Sequence, residues 1–370
     1  MRILGDIGAK AAENEVLLLE HSVPYQPFSS EVLADLPNVP WTIPEEERQK
    51  RTNLVSLEVC SIDPQGCTDI DDALHCRELE GGNFEVGVHI ADVTYFIRPS
   101  TSLDKEASNR GTTVYLCDKR IDMVPELLSS NLCSLREGEE RLAFSCIWEL
   151  TPQADIVSTA FAKSIIKSRK AFTYAEAQMK VDDARQNDSL TLSLRKLNGL
   201  AKNLKQKRIE EGALTLASPE VRFEMDSETH DPIDIEMKDL KDTNSLVEEF
   251  MLLANISVAK RIFKEFPHCA LLRRHPAPPP SNYHVLVKVG LSKGVHIAVE
   301  TAKSLASSLS EANIPKEPYF NTLLRILCTR CMMQALYFSS GKLPEANFIH
   351  YGLATPIYTC LLYTSDAADE

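Results

Sequence analysis

The run SIDPQGCTDIDDAL (61–74) places four carboxylates, Asp63, Asp69, Asp71 and Asp72, within ten positions. Carboxylates this close repel one another, and a folded chain needs a cation to relieve that repulsion. Hard oxygen donors suit magnesium or manganese, which take few protein carboxylates and fill their other positions with water and phosphate oxygens. Such a site points to metal-assisted phosphoryl or hydrolytic chemistry. In a regular strand Asp69 and Asp71 would share a face while Asp72 pointed away. Pro64 and Gly66 instead favour a bent loop that lets all four converge. The plainer alternatives are a solvated acidic loop or a calcium loop. An EF-hand needs a D-x-D-x-D-G pattern closed by Glu, which this stretch lacks. Ile62, Ile70, Ala73 and Leu74, interleaved with the acids, count against a loop lying free in solvent.

Holding such a loop in place requires regular structure on both sides. LVSLEVCSID (54–63) enters it as a candidate strand. ALHCREL and FEVGVHIADV follow it, and Glu80-Gly81-Gly82-Asn83 between them is a hairpin signal. RLAFSCIWELT (141–151) and IVSTAFAKSII (156–166) read as two further strands. From Tyr174 onward the pattern turns helical. One helix ends at Gly212 as a C-cap, and another, over 243–266, has its apolar residues at helical spacing. A proline-rich loop, HPAPPPSN (275–282), precedes helices expected at 284–290, 301–312 and 319–339. Strands first and helices later indicate an α+β domain rather than a doubly wound sheet.

The first 25 residues read as the end of a β-rich unit, with EVLLLEH as one strand. Residues 26–50 form a proline-rich connector, closing on EEERQKR (45–51) as a short helix or solvated turn. No apolar run of about 18 residues occurs, which argues against a membrane span. The N-terminus carries acids inside its apolar stretch, unlike a secretory signal. The ten cysteines therefore read as reduced thiols of an intracellular protein. A net charge of −13 weighs against nucleic-acid binding. The basic residues are nonetheless concentrated, in 163–170, 195–208 and 273–275, and a metal-holding nuclease needs acids at its centre.

At these residues the chain resembles the ribonuclease II (RNB) family, and within it the Dis-three type that serves the eukaryotic RNA exosome as its catalytic exoribonuclease. The matching runs are SIDPQGCTDIDDALHCREL, EVGVHIADVTYFIRP, RGTTVYLCDKRIDMVPELLSSNLCSL, LTLASPEVRF, NSLVEEFMLLANISVAKRI, LLRRHPAPPPSNY and HYGLATPIYT. The resemblance extends from about residue 1 to Thr359, with 1–25 resembling the end of a cold-shock-like OB unit and 51–359 the RNB catalytic domain.

It implies processive hydrolysis of single-stranded RNA from the 3′ end to nucleoside 5′-monophosphates, with magnesium, or manganese, as cofactor. It implies RNA and the exosome core subunits as partners, and residence in the nucleus or nucleolus, with the cytoplasm open. Asp63 and Asp72 match the acids that hold the metal, Asp69 the acid that completes the site, and Asp71 the aspartate whose loss abolishes cleavage. Tyr115 and Tyr174 match tyrosines that contact the terminal nucleotides. Aromatic faces accept any base, which suits sequence-independent degradation. The alternative is a catalytically inactive RNB homologue that binds RNA or acts as a scaffold.

Each residue also has a plainer reading. By residue type alone, Tyr115 and Tyr174 are core or rim aromatics. Glu248 and Glu249 fall in a family element near the active site, yet Ser245-Leu246-Val247-Glu248 also has capping-box spacing. Glu248 is therefore carried with two readings, substrate contact and helix cap. His89 on its apolar strand reads as a satisfied core histidine. Cys328 and Cys331 form CTRC without a second pair, which disfavours zinc. After TPIYT the family pattern gives way to Cys360–Glu370, expected to be an artefactual tail. The family's continuation H-F-T-S-P-I-R-R-Y, with its phosphate-contacting arginine, is missing, so this chain by itself is expected to be weakly active or inactive.

Overall fold

The computed structural model describes residues 3–116, 118–216, 221–225, 232–237 and 241–360, with backbone alone at 221–225 and 232–237. Cys117, part of the LTLASPEVRF run and the segment after residue 360 lie outside the described residues. In chain order the elements begin with α1 (Lys10–Glu20), α2 (Ser30–Ala34), α3 (Glu45–Lys50), β1 (Thr52–Asn53), β2 (Val59–Asp63), β3 (Asp72–Glu78) and β4 (Phe84–Ala91). Next come α4 (Ser102–Arg110), β5 (Val114–Tyr115), β6 (Arg120–Ile121), β7 (Glu140–Leu150), β8 (Ile156–Thr173), α5 (Tyr174–Asp182) and α6 (Ser189–Glu211). The chain continues with β9 (Val221–Met225), β10 (Pro232–Met237), α7 (Asp242–Glu265), β11 (Leu271–Arg274), α8 (His284–Ser292), α9 (Ala302–Glu311), α10 (Phe320–Cys331) and β12 (Leu336–Ser339). The chain is α+β, as expected.

The main sheet runs β1-β8-β2-β3-β4-β7, and β8 also pairs with β7, so five strands close into a ring. The length of β8 makes this possible. Its residues 156–167 run antiparallel to β7, while 168–173 run parallel to β2. One face of the ring presents Leu74, Val86, Val88, Cys146 and Trp148 to Leu194, Leu197, Leu246 and Phe250 of α6 and α7, and this apolar burial holds the helices on the sheet. The residues that alternate with these on β3, β4 and β7 are small or polar: His75, Gly87, His89 and Ser145. Gly87 sits opposite His75, and a Cβ at Gly87 would run into the imidazole ring. The histidine packing therefore requires glycine there.

The Glu80–Asn83 hairpin, the strands at β7 and β8, and the helices ending at Gly212 and Glu265 agree with the sequence reading. Gly212 caps α6 in the left-handed region, with φ +104°. Two expectations are corrected. EVLLLEH is not a strand: it lies in α1, where Ala12 and Leu18 point inward and alternate positions do not. A short apolar run does not separate helix from strand by periodicity. The helix expected over 319–339 stops at Cys331, and Leu336–Ser339 forms β12, paired antiparallel with β11. That pairing joins segments about 65 residues apart, which local pattern cannot register.

Candidate active site

The aspartates sit at one mouth of the ring. Asp63 is the last residue of β2 and Asp72 the first of β3, so 64–71 is the loop between them. Asp63 is in register with Thr173, the last residue of β8, and Tyr174 opens α5 directly after it. The end of β4, with Asp92 just beyond, lies beside them, since Asp72 pairs with Ile90 and the Ala91 amide donates to the Asp71 carbonyl at 2.9 Å. Ile70 is buried and its amide donates to Ser134 Oγ at 3.1 Å, which ties the loop to the protein. The loop does not lie free in solvent.

Three of the carboxylates act on one another. Burial together with the charges of Asp69 and Asp63 pushes Asp71 up to about 7, against the opposing pull of Arg120. Asp69 is gripped on both oxygens. Oδ1 forms an ion pair with Arg120 at 2.7 Å, and Oδ2 accepts a hydrogen bond from the Tyr115 hydroxyl at 2.7 Å. Arg120 also pairs with Asp122 at 2.6 Å. Among the described residues no three His, Cys, Asp or Glu side chains are gathered closely enough to hold an ion by themselves. The expected four-way convergence is therefore looser than the sequence suggested, because Asp69 turns to the β5–β6 hairpin. The donors still fit a hard divalent ion that keeps water and takes phosphate oxygens: they are all carboxylates, and their mutual repulsion is what a cation relieves.

Tyr115 lies on β5, and 55% of it is exposed. Tyr174 is partly buried against the core under α5, α6 and α7. Glu248 is on the exposed side of α7 and pairs with Arg208 of α6 at 3.0 Å. The cap reading for Glu248 is overturned, because α7 starts at Asp242 and Ser245 lies inside it, where its hydroxyl accepts from Lys205 Nζ at 2.9 Å. Glu249 is buried on the same Arg208. Glu248 is not among the charges that shift Asp71. His89 is the core histidine expected: Nε2 meets His75 Nδ1 at 2.8 Å and Nδ1 meets Ser145 Oγ at 2.7 Å. Cys328 and Cys331 are buried in the α8–α10 core, and burial pushes the Cys328 thiol up to about 12. The described cysteines are free thiols.

Sequence reasoning missed Arg120, Asp122 and Asp92. Arg120 stands in DKRIDM among alternating charges, and only the β5–β6 ladder, which sets it opposite Tyr115, brings it to Asp69. The basic runs also look different once folded. Lys163 pairs with Asp92, Lys170 with Glu137, Lys196 with Glu78 and Lys202 with Asp242, so acids neutralise much of what reads as a basic stretch.

The model of the RNB domain matches residues 51–362, most of the chain and all of the ring. The chain belongs to the RNB domain family. Among its relatives is the mouse (Mus musculus) exosome complex exonuclease RRP44, 67% identical over 356 residues, which are 96% of this chain and 37% of that protein. The fission yeast (Schizosaccharomyces pombe) exosome complex exonuclease dis3 is 56% identical over 366 residues, 97% of this chain and 38% of the relative. This RNB chain thus spans under two fifths of the length of those relatives. Mycoplasma genitalium RNase R, solved in complex with ribose-methylated single-stranded RNA, superposes with a TM-score of 0.85 at 22% identity, covering 99% of this chain and 56% of that one. Yeast Ssd1, described as a pseudonuclease, superposes with a TM-score of 0.77 at 22% identity, covering 96% and 44%. Both likenesses bear on the RNB fold alone, which a nuclease and a pseudonuclease share.

Proposed function

We propose that the protein carrying this domain is a 3′→5′ exoribonuclease that hydrolyses single-stranded RNA to nucleoside 5′-monophosphates, as the catalytic subunit of an RNA exosome. The observation that carries this reading is the mouth of the ring, where burial, together with the charges of Asp69 and Asp63, pushes Asp71 up to about 7. Membership of the RNB family, and relatives named as exosome exonucleases, support the substrate and the assembly.

In this reading Asp63 and Asp72, at the ends of β2 and β3, hold magnesium or manganese, and Asp69 completes the set. The bound ion supplies activation of water and neutralisation of the leaving 3′ oxygen. Asp71, between the other acids, fixes the site's charge and the position of its water. Tyr115 offers an exposed ring for the terminal base, and stacking on it needs no particular sequence. Glu248 is proposed as a lesser RNA contact and Tyr174 as a second aromatic surface at the same mouth.

An inactive RNA-binding homologue is the second reading, and the hold of Arg120 and Tyr115 on Asp69 is the observation in its favour. A single-stranded oligomer labelled at its 5′ end, incubated with the full-length protein with and without magnesium, separates the two. Progressive metal-dependent shortening from a free 3′ end, with stalling on a blocked one, is expected of the exoribonuclease. Binding without shortening marks the inactive homologue.

A further inference from the structure

We propose that Tyr115 is a positioning residue: in the RNA-free protein it withholds Asp69 from the metal, and the arriving RNA 3′ end releases that hold. The inference rests on the exoribonuclease reading above and adds to it a coupling between substrate and metal.

Both oxygens of Asp69 are already spent on protein donors. Arg120 takes Oδ1 at 2.7 Å and the Tyr115 hydroxyl takes Oδ2 at 2.7 Å. Tyr115 and Arg120 are direct partners on the β5–β6 ladder, so one short hairpin supplies both grips. The two grips differ in permanence. Arg120 is held from several sides, by Asp122 at 2.6 Å, by Ser130 Oγ at 2.7 Å and by Thr68 Oγ1 at 3.3 Å. Those contacts tie it in place beside Asp69. Tyr115 is 55% exposed as a residue, and its hydroxyl is tied to the site by the hydrogen bond to Asp69. The sugar and phosphate oxygens of a nucleotide seated on that ring are competing acceptors for its hydroxyl and take it from Asp69.

A carboxylate oxygen that accepts a phenolic hydrogen bond is a poorer donor to a cation than the same oxygen set free. Release of Oδ2 therefore strengthens the metal site only when an RNA end is seated. The coupling is reciprocal: RNA tightens the metal, and metal tightens the RNA end. Its consequence is that an idle site holds its ion weakly.

The test is manganese affinity measured by calorimetry on the full-length protein, with and without a single-stranded oligomer whose 3′ linkage is a hydrolysis-resistant phosphorothioate. Tyr115→Phe keeps the ring and removes only the hydroxyl. It should tighten manganese in the absence of RNA by about tenfold, the scale of one hydrogen bond to a charged group. It should also shrink the gain in manganese affinity that the oligomer brings to the wild type. Unchanged or weakened manganese binding in RNA-free Tyr115→Phe, in a protein that does shorten RNA from its 3′ end, overturns the withholding role alone. A wild type that shows no metal-dependent shortening overturns the exoribonuclease reading and this inference with it.

Discussion

Arg51 and Asp92 form a 2.7 Å ion pair in which the side chains are 3% and 2% exposed. Arg51 also pairs with Glu47 of α3 at 3.0 Å, so the pair fastens the connector to the end of β4. Burial pushes Asp92 up, but hydrogen bonds from Thr94, Arg51 and Lys163 outweigh it and hold the carboxyl below its usual range. Breaking the pair at Asp92 leaves the buried Arg51 charge with Glu47 as its remaining carboxylate partner, and a buried charge that loses a partner is costly. Asp92→Ala should therefore cost roughly 1.5–3 kcal/mol of folding stability, the scale of a lost hydrogen bond to a charged group, read from urea denaturation. Replacing both partners, Arg51→Met with Asp92→Leu, should recover most of that loss. Equal losses in the single and double variants would show that the pair is not what stabilises this corner.

Gly87 and His75 give a second test. Gly87→Ala puts a methyl group into the imidazole ring and should destabilise by about 1–3 kcal/mol, the scale of overpacking. Adding His75→Ala opens the space, so the double variant should be less destabilised than the two single effects summed. Strict additivity in the double-mutant cycle would mean that the two residues do not compete for that space.

Stability should also depend on pH in a defined window. Burial holds His89 well below its usual value, and burial with the charges of His275 and Arg273 lowers His350 to about 3. Both side chains stay neutral when folded and take up a proton when unfolded, so the unfolded state binds more protons below about pH 6.5. Stability should therefore be fully present above pH 6.5 and fall as the pH drops from there towards 3. Each group contributes up to about 1.4 kcal/mol per pH unit. His350→Gln should flatten this slope in urea midpoints measured at pH 7 and pH 5. A slope unchanged by the substitution would remove His350 from the account.

Much of this was readable from the chain. The aspartate run, the Glu80–Asn83 hairpin and the Gly212 cap are local signals, and the structure contains each of them. What was not readable depends on pairing between distant segments. β12 looked like the end of a helix because only β11 makes it a strand. Arg120 carried no sign of its partner because its place opposite Tyr115 is set by a two-residue ladder, and its reach to Asp69 by the loop between β2 and β3. For Glu248, the capping spacing was real, but the helix begins a turn earlier, at Asp242, and the side chain goes to Arg208.

The central claim is that the mouth of the ring performs metal-dependent hydrolysis, and Asp71 tests it most directly. Asp71→Asn keeps the size of the side chain and removes an ionisable carboxyl from the acids at the mouth. Single-stranded RNA is gripped through phosphates and stacked bases, neither of which needs Asp71. The decisive measurement pairs RNA affinity with single-turnover cleavage in the full-length Asp71→Asn protein. Affinity should hold or improve, because repulsion towards phosphate falls, while cleavage should drop by at least about 10²-fold, the scale of one electrostatic element acting in the transition state. Cleavage near the wild-type rate would contradict the assignment, and loss of RNA binding would make Asp71 a structural residue instead.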